Sequence, residues 1–373
     1  MAYRYQVALV KAGEVPSAVR RGVDLLGGMG AFVRPGAHVV IKVNMFLRAM
    51  PASARVTHPA VVLEAARLCC VAGGRVTVVE RTPHYDLVVR GYEEIEQLAA
   101  LVALEQVEHR HLVLPGARSL QSPVPWPTLL DDCDVFINIP GLRTHALTRL
   151  SNGMKNLMGL LSRDSRRRLH IVGVERGIVA LASVLRPRLT VLDALTATSR
   201  AVYGEPTPLG VIVAGQDAVA VDHFGCRLLG EDPAHVPHLR EAIRQGLGTS
   251  LYRVAGDEAV PAPCGGRADS WQERLYRVVF QGMYLLDWPY ARLFPGHSCI
   301  PAAHYWLGVR PRLVAASCDR CGACVEVCPV GAIDLQRKRI IASRCQRVRC
   351  LRCKDVCPRE AIVLRGLRRP ERM

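Results

Sequence analysis

Short apolar runs rich in β-branched residues recur along the first 250 residues of the chain. Tyr5–Val10, His38–Val43, Arg75–Val79, Val135–Ile139, Leu189–Leu192 and Val211–Ala214 read as strands. Between them Ala60–Ala72, Met154–Leu161, Ala218–Leu229 and Pro233–Gln245 place apolar residues at helical spacing. Strands separated by helices predict an α/β domain, a mostly parallel sheet with helices on both faces. Pro59 suits the first position of a helix, with His58 as cap before it and Gly73-Gly74 closing the far end. Beyond Thr249 the alternation fades. Pro261-Ala-Pro-Cys-Gly-Gly reads as loop, and Trp271 to Phe294 is amphipathic, a stretch that packs two domains together or touches a membrane surface. The predicted organisation is an α/β domain over 1–250, a connector over 251–310 and a separate unit over 311–373.

A chain of 373 residues that is 50% hydrophobic and 22% charged is an ordinary globular balance, which excludes disorder, collagen and coiled coil as the main architecture. The longest apolar runs, Ile178 to Leu185 and Val278 to Leu286, fall short of the roughly 18 residues a bilayer span needs. The N-terminus alternates like a first strand and lacks a signal-peptide pattern, so the expected compartment is the cytoplasm. Formal net charge is +16, and residues 311–373 hold 15 basic against 6 acidic side chains. Arg166-Arg167-Arg168 is too short for a nucleic-acid claim, and the basic excess points instead to an acidic redox partner drawn in by steering. Only five basic residues are lysines: Lys11, Lys42, Lys155, Lys338 and Lys354. In so arginine-rich a chain, a lysine more often marks a place that needs a compact ammonium.

Eight of the 14 cysteines lie between Cys318 and Cys357. They form Cys318-x2-Cys321-x2-Cys324-x3-Cys328-Pro329 and Cys345-x4-Cys350-x2-Cys353-x3-Cys357-Pro358. The two halves repeat at an offset of 29 residues, Cys-Val-Glu-Val-Cys-Pro-Val-Gly-Ala-Ile against Cys-Lys-Asp-Val-Cys-Pro-Arg-Glu-Ala-Ile. A tight cysteine triplet can wrap one iron–sulfur cube, whereas zinc ribbons use pairs. The tail resembles the bacterial two-cluster ferredoxin, a small α+β fold, over roughly residues 312–366. The resemblance implies two [4Fe–4S] clusters, with the cysteine before each proline serving the other half's cube. One would take Cys318, Cys321, Cys324 and Cys357, the other Cys345, Cys350, Cys353 and Cys328. Cys345 stands two residues further from Cys350 than the usual spacing, which calls for an enlarged loop.

In the larger domain polar residues gather where strands should end, which is where open α/β sheets place ligands. Lys42 and Asn44 end one strand, Thr57-His58-Pro59 opens a helix, and Arg143 and His145 lie in a loop leaving another strand. Asn152, Lys155, Asn156 and Gly159 recur at helical spacing, a face suited to an anionic ligand or to backbone. Asp193, Asp217 and Asp222 fit capping roles. Gly27-Gly28-Met29-Gly30 lacks the dinucleotide spacing, and no Walker loop, nucleophile elbow or mononuclear metal motif stands out.

Taken in order, Ile-Lys-x-Asn, Thr-His-Pro, Asn-x-Pro-x-Leu-x-Thr-His, Met-Lys-Asn-Leu-x-Gly, Leu-Thr-Val-Leu-Asp and Asp-Ala-Val-Ala-Val-Asp are similar to the family filed as domain of unknown function 362. The resemblance spans about residues 38–230 and implies an iron–sulfur centre protein ending in a two-cluster module; it supplies no reaction. Arg143 stands where that family often has lysine, and Val43 where it often has proline. Two readings follow from the residues. In the first, an oxidoreductase relays electrons to an anionic small molecule held by Lys42, Asn44, Arg143, Lys155 and Asn156, with His58 or His145 as proton donor. In the second, the larger domain docks a redox partner without chemistry, as an electron-transfer or assembly protein.

Overall fold

The computed structural model describes residues 6–45, 55–81, 92–116, 123–145, 147–198, 206–258, 271–293, 310–348, 352–359 and 361–365. They fall into two compact units, one drawn from residues up to 277 and one from 278 onward. The strands of the first unit are β1 Gln6–Lys11, β2 His38–Val43, β3 Arg75–Glu80, β4 Ala100–Ala103, β5 His109–Leu112, β6 Val124–Pro127, β7 Val135–Ile139, β8 Gly141–His145, β9 Arg149–Ser151, β10 Leu189–Thr198, β11 Pro206–Gly215 and β12 Arg253–Gly256. Besides a short turn at Glu93–Glu96, its helices are α1 Val15–Asp24, α2 Pro59–Val71, the single turn α3 Gly153–Asn156, α4 Arg163–Val172, α5 Val174–Val184, α6 Ala218–Leu229 and α7 Pro237–Arg244.

Ten of these strands make one sheet in the order β12-β1-β11-β10-β7-β2-β3-β4, with β8 pairing β10 and β9. The sheet is mostly parallel: β11 runs against both its neighbours and β9 against β8. β5 and β6 form a separate antiparallel pair. Strands such as β2, in which Val39, Val40, Ile41 and Val43 are all 0% exposed, are buried on both faces. Their near-continuous apolar runs are what a sheet covered on both sides requires. α1 and α2 pack together, and α5, α6 and α7 form a second packed group.

Local chemistry sets the helix ends. His58 caps α2, its Nδ1 accepting from the Ala60 N–H at 3.2 Å, Pro59 starts the helix and Gly73 takes φ +85° just past its end. α6 is capped by Asp217, whose Oδ1 accepts from Val219 and Ala220, and closed by Gly230 at φ +70°. Two expected helices are interrupted. The stretch 154–161 is one α-turn followed by a 3-10 turn, Leu157–Leu160. The stretch 233–245 breaks at Val236, held extended at φ −97° and ψ 102° by Pro237 after it. β10 and β11 run well beyond the apolar cores that announced them, because each supplies the other's hydrogen bonds through a segment containing Pro206, Pro208 and Gly210.

The amphipathic stretch forms a long helix, α8 Trp271–Leu293, with Val278, Leu285, Leu286 and Leu293 exposed. In the second unit β13 Arg310–Leu313 pairs antiparallel with β16 Ile362–Arg365, and β14 Ile333–Asp334 with β15 Arg339–Ile340. Short helices α9 Ala323–Glu326, α10 Ala342–Val348 and α11 Arg352–Asp355 lie between. Pairing Leu313 with Ile362 joins the start of the first cysteine run to the end of the second. Among the described residues no helix is long and apolar enough to cross a membrane.

Candidate functional site

The parallel strands β2, β3 and β7 end side by side, and a polar network fixes their ends. Lys42 is 0% exposed; its Nζ donates to Glu80 Oε2 at 2.7 Å and to the Val43 carbonyl at 2.5 Å. Burial lowers its pKa, and Glu80 opposes that shift. The second Glu80 oxygen accepts from the Arg81 N–H, and Oε2 also accepts from Met45 N at 3.0 Å. Lys42 is therefore spent on a buried ion pair; its ammonium does not face a ligand from solvent. Gly159 packs directly above it: a Cβ there would lie 2.7 Å from Nζ. The glycine of the Met-Lys-Asn-Leu-x-Gly run thus exists to let a turn close over the pair.

Asn44 and Asn156 are also scaffold. Asn44 N donates to Thr57 Oγ1 at 2.9 Å and its Nδ2 to the Arg55 carbonyl at 2.7 Å, while Thr57 Oγ1 donates to Ile139 O at 2.8 Å. Asn156 Nδ2 donates to Asn138 Oδ1 at 2.8 Å, and Asn138 Nδ2 to Gly153 O at 2.8 Å. Asp222, in the body of α6, accepts from Gly153 N at 2.7 Å and Met154 N at 3.0 Å, and so pins the turn that carries Lys155 and Asn156. Burial pushes its pKa up to about 7, partly offset by those two donors. Its role is to hold another helix, not to cap its own.

Around this scaffold lies a half-buried rim of cations. Arg143 on β8 donates to Asn44 Oδ1 at 3.4 Å. Burial, then the nearby Arg55, lowers its pKa to about 10. Lys155 is half-buried, and burial followed by the charges of Arg143 and Arg166 brings its pKa down to about 7. Its Nζ has neither a hydrogen bond nor an ion pair among the described residues.

The histidines are positioned by backbone. His145 Nδ1 accepts from Leu147 N at 3.2 Å and Thr148 N at 3.3 Å, so the neutral ring carries its proton on Nε2. His170, with its ring centroid 6.2 Å from that of His145, donates Nδ1–H to the Arg166 carbonyl at 2.7 Å. Burial and Lys155 lower its pKa to about 3, so it stays neutral. His58 N donates to Asp193 Oδ2 at 2.7 Å, and its ring caps α2. Sequence reasoning singles out neither Glu80 nor the fully buried His238 for this site and weighs Arg166 only as part of a basic triplet; Glu80 had a signal, a carboxylate ending one buried strand as Lys42 ends its neighbour.

In the second unit Cys318, Cys321, Cys324 and Cys357 line one cavity with Leu313, Gly322, Leu335, Ala361 and Ile362. Burial, then Cys357, Cys321 and Cys318, pushes the Cys324 thiol up to about 11. Cys328 Sγ accepts from Ala332 N at 3.1 Å, and its repeat mate Cys357 accepts from Ala361 N at 3.2 Å. Asp319 binds Cys321 N and pairs with Arg359 at 2.8 Å, and Lys338 Nζ holds the carbonyls of Ala315 and Cys318. Among the described residues no three such donors focus on a point for a single ion, while four thiols ring an apolar hollow. That donor set, with backbone N–H groups on sulfur, fits a cube of iron and sulfide held by Cys318, Cys321, Cys324 and Cys357, which would supply one-electron transfer. Cys345, Cys353 and Cys328 are described; Cys350 lies outside the described residues, as do Cys264 and Cys299.

A mostly parallel α/β body followed by a cysteine cage of this kind defines an iron–sulfur protein. The chain belongs to the family Domain of unknown function (DUF362), whose profile matches residues 39–227, and it carries a 4Fe-4S binding domain at 312–334, hence at least one [4Fe–4S] cluster. It is 30% identical over 252 residues to the thylakoid-associated protein sll1697 of Synechocystis sp., covering 64% of this chain and 77% of that one. Among solved structures it is similar to the lactate racemase apoprotein of Thermoanaerobacterium thermosaccharolyticum, with a TM-score of 0.41 and 14% identity over 61% of this chain and 58% of that chain.

Two outcomes follow from the scaffold. Gly159→Ala should force the buried Lys42 and Glu80 apart and cost about 1–3 kcal/mol in urea unfolding; an unchanged midpoint would mean the turn relaxes freely. Asp222 titrates at about 7 folded against 3.8 ordinarily, so its contribution is fully present below pH 3.8 and is lost as pH rises through about 7. Asp222→Asn should flatten the fall in stability across that window, measured by unfolding at several pH values.

Proposed function

We propose that the protein is an iron–sulfur oxidoreductase that passes electrons through two [4Fe–4S] clusters to an anionic small molecule bound at the strand ends of the α/β unit. The first cluster is held by Cys318, Cys321, Cys324 and Cys357, and the second by Cys345, Cys350, Cys353 and Cys328. The observation that carries the anion site is Lys155: an ammonium without hydrogen bond or ion pair among the described residues, beside Arg143 and Arg166. Gathering Lys155, Arg143 and Arg166 at one half-buried site favours a ligand that brings negative charge. His145, its Nδ1 committed to backbone N–H groups, offers the anion its Nε2–H as a hydrogen-bond donor in this reading. His58 serves the helix cap first, and its half-buried ring is the alternative donor.

An acidic redox protein fits as electron donor, since 15 basic residues against 6 acidic in the last 63 positions would steer it to the cluster unit. The name of the Synechocystis relative concerns that protein; for this chain we keep the cytoplasm, where cysteines stay reduced for cluster ligation.

Anaerobically prepared protein should hold about eight irons, and Cys357→Ser should lower the count to about four although that cysteine belongs to the second repeat. A full count in the variant would overturn the exchange of ligands between halves. For the function itself, dithionite-reduced protein is mixed with a panel of small carboxylates and phosphates, and cluster absorbance is followed. One of them should reoxidise the clusters, and Lys155→Met should slow that at least about tenfold with iron content unchanged. Equal rates in variant and wild type would remove Lys155, and with it the anion site, from the reaction.

A further inference from the structure

The five lysines of the chain are in very different states. Lys42 is sealed into its pair with Glu80, and Lys338 is bound to two carbonyls of the cluster loop. Lys11 is exposed at the end of β1. Lys354, on α11 of the second unit, and Lys155 are half-buried with no acceptor among the described residues, and of the two Lys155 lies at the strand ends of the α/β unit. It sits on a turn fastened at three points: Asp222 takes the N–H groups of Gly153 and Met154, Asn138 takes the Gly153 carbonyl, and Asn156 closes back on Asn138. Such fastening is more than a charged side chain needs merely to attract an anion.

Among the described residues the charged or titratable groups close enough to act on Lys155 are Arg143 from β8, Arg166 and His170 from α4 and His238 from α7. None is a carboxylate. His170 and His238 stay neutral, each with a pKa lowered to about 3 chiefly by burial. Cationic neighbours and partial burial are the two conditions that turn a lysine from an ammonium into a nucleophile, and its pKa of about 7 leaves about half of it as free amine at neutral pH. A guanidinium close by is suited to a carboxylate.

We propose that Lys155 captures the carbonyl group of a small 2-oxo or aldehyde acid as a reversible imine, with Arg143 holding the acid's carboxylate. The Nζ lone pair adds to the carbonyl carbon, one N–H proton passes to the former carbonyl oxygen to give the carbinolamine, and that hydroxyl leaves with the second N–H proton as water, so that a C=N bond remains. The step is a condensation, so it needs neither oxidant nor reductant. It deepens the anion-site reading by naming the class of acid, and rests on it for the carboxylate contact.

Full-length anaerobic protein is incubated near pH ~7 with glyoxylate or, in parallel, acetaldehyde, in the presence of cyanoborohydride, and the labelled lysines are located by peptide mass spectrometry. Lys155 should be labelled by glyoxylate at least about tenfold faster than Lys11, half-maximally near its pKa of about 7, and faster than by acetaldehyde. Arg143→Gln should abolish the preference for the acid while leaving cluster absorbance intact. Labelling of Lys155 no faster than Lys11 overturns the proposal. A rise in melting temperature with glyoxylate but no adduct overturns the imine and leaves the anion site standing. Equal labelling by both probes at an activated Lys155 overturns the assignment of an acid and the anion-site reading together.

Discussion

A lysine and a glutamate sealed from water at the ends of two adjacent parallel strands set the arrangement on which the α/β unit depends. Removing either partner of such a pair leaves a lone charge in the interior, typically at a cost of about 3–5 kcal/mol, so Lys42 and Glu80 hold each other in place. From them the order spreads outward. Glu80 also fixes the backbone of Met45 and Arg81, and Gly159 permits the turn above the pair to settle on it. The neighbouring amides of Asn138 and Asn156 then continue the same network to Asp222.

Rigidity below and charge above are therefore separate layers. The lower layer is neutral overall in its pairing and dry; the upper layer, with Arg143, Lys155 and Arg166, is half-buried and positive. A ligand meeting the upper layer meets side chains whose anchor points are already fixed, so little ordering entropy remains to be lost when it binds.

The sequence was most legible where the chemistry is local. Cysteine spacing and the repeat at an offset of 29 point to the cluster cavity, and Cys357 does line it with the first triplet. The strand cores were legible too, from apolar runs that mark burial on both faces. What could not be read was partnership at long range. Lys42 looks like a ligand-binding residue until Glu80, 38 positions on, is seen beside it. Asp222 looks like a helix cap until its two acceptor bonds to Gly153 and Met154, about seventy residues earlier, are seen. The β10–β11 pairing was hidden because prolines and glycine in β11 argue against a strand, and only the register with β10 overrules them.

The placing of Cys357 beside Cys318, Cys321 and Cys324 carries a consequence for biosynthesis. A ribosome releases the triplet long before it makes the fourth thiol, and the strand that closes the unit, Ile362–Arg365, emerges later still. Until that strand pairs with Arg310–Leu313 the first repeat is an open bowl, and a cube bound there as proposed would have three of its four thiols. Closing the cavity therefore waits on the second repeat, so in the proposed arrangement neither half can complete its ligand set alone.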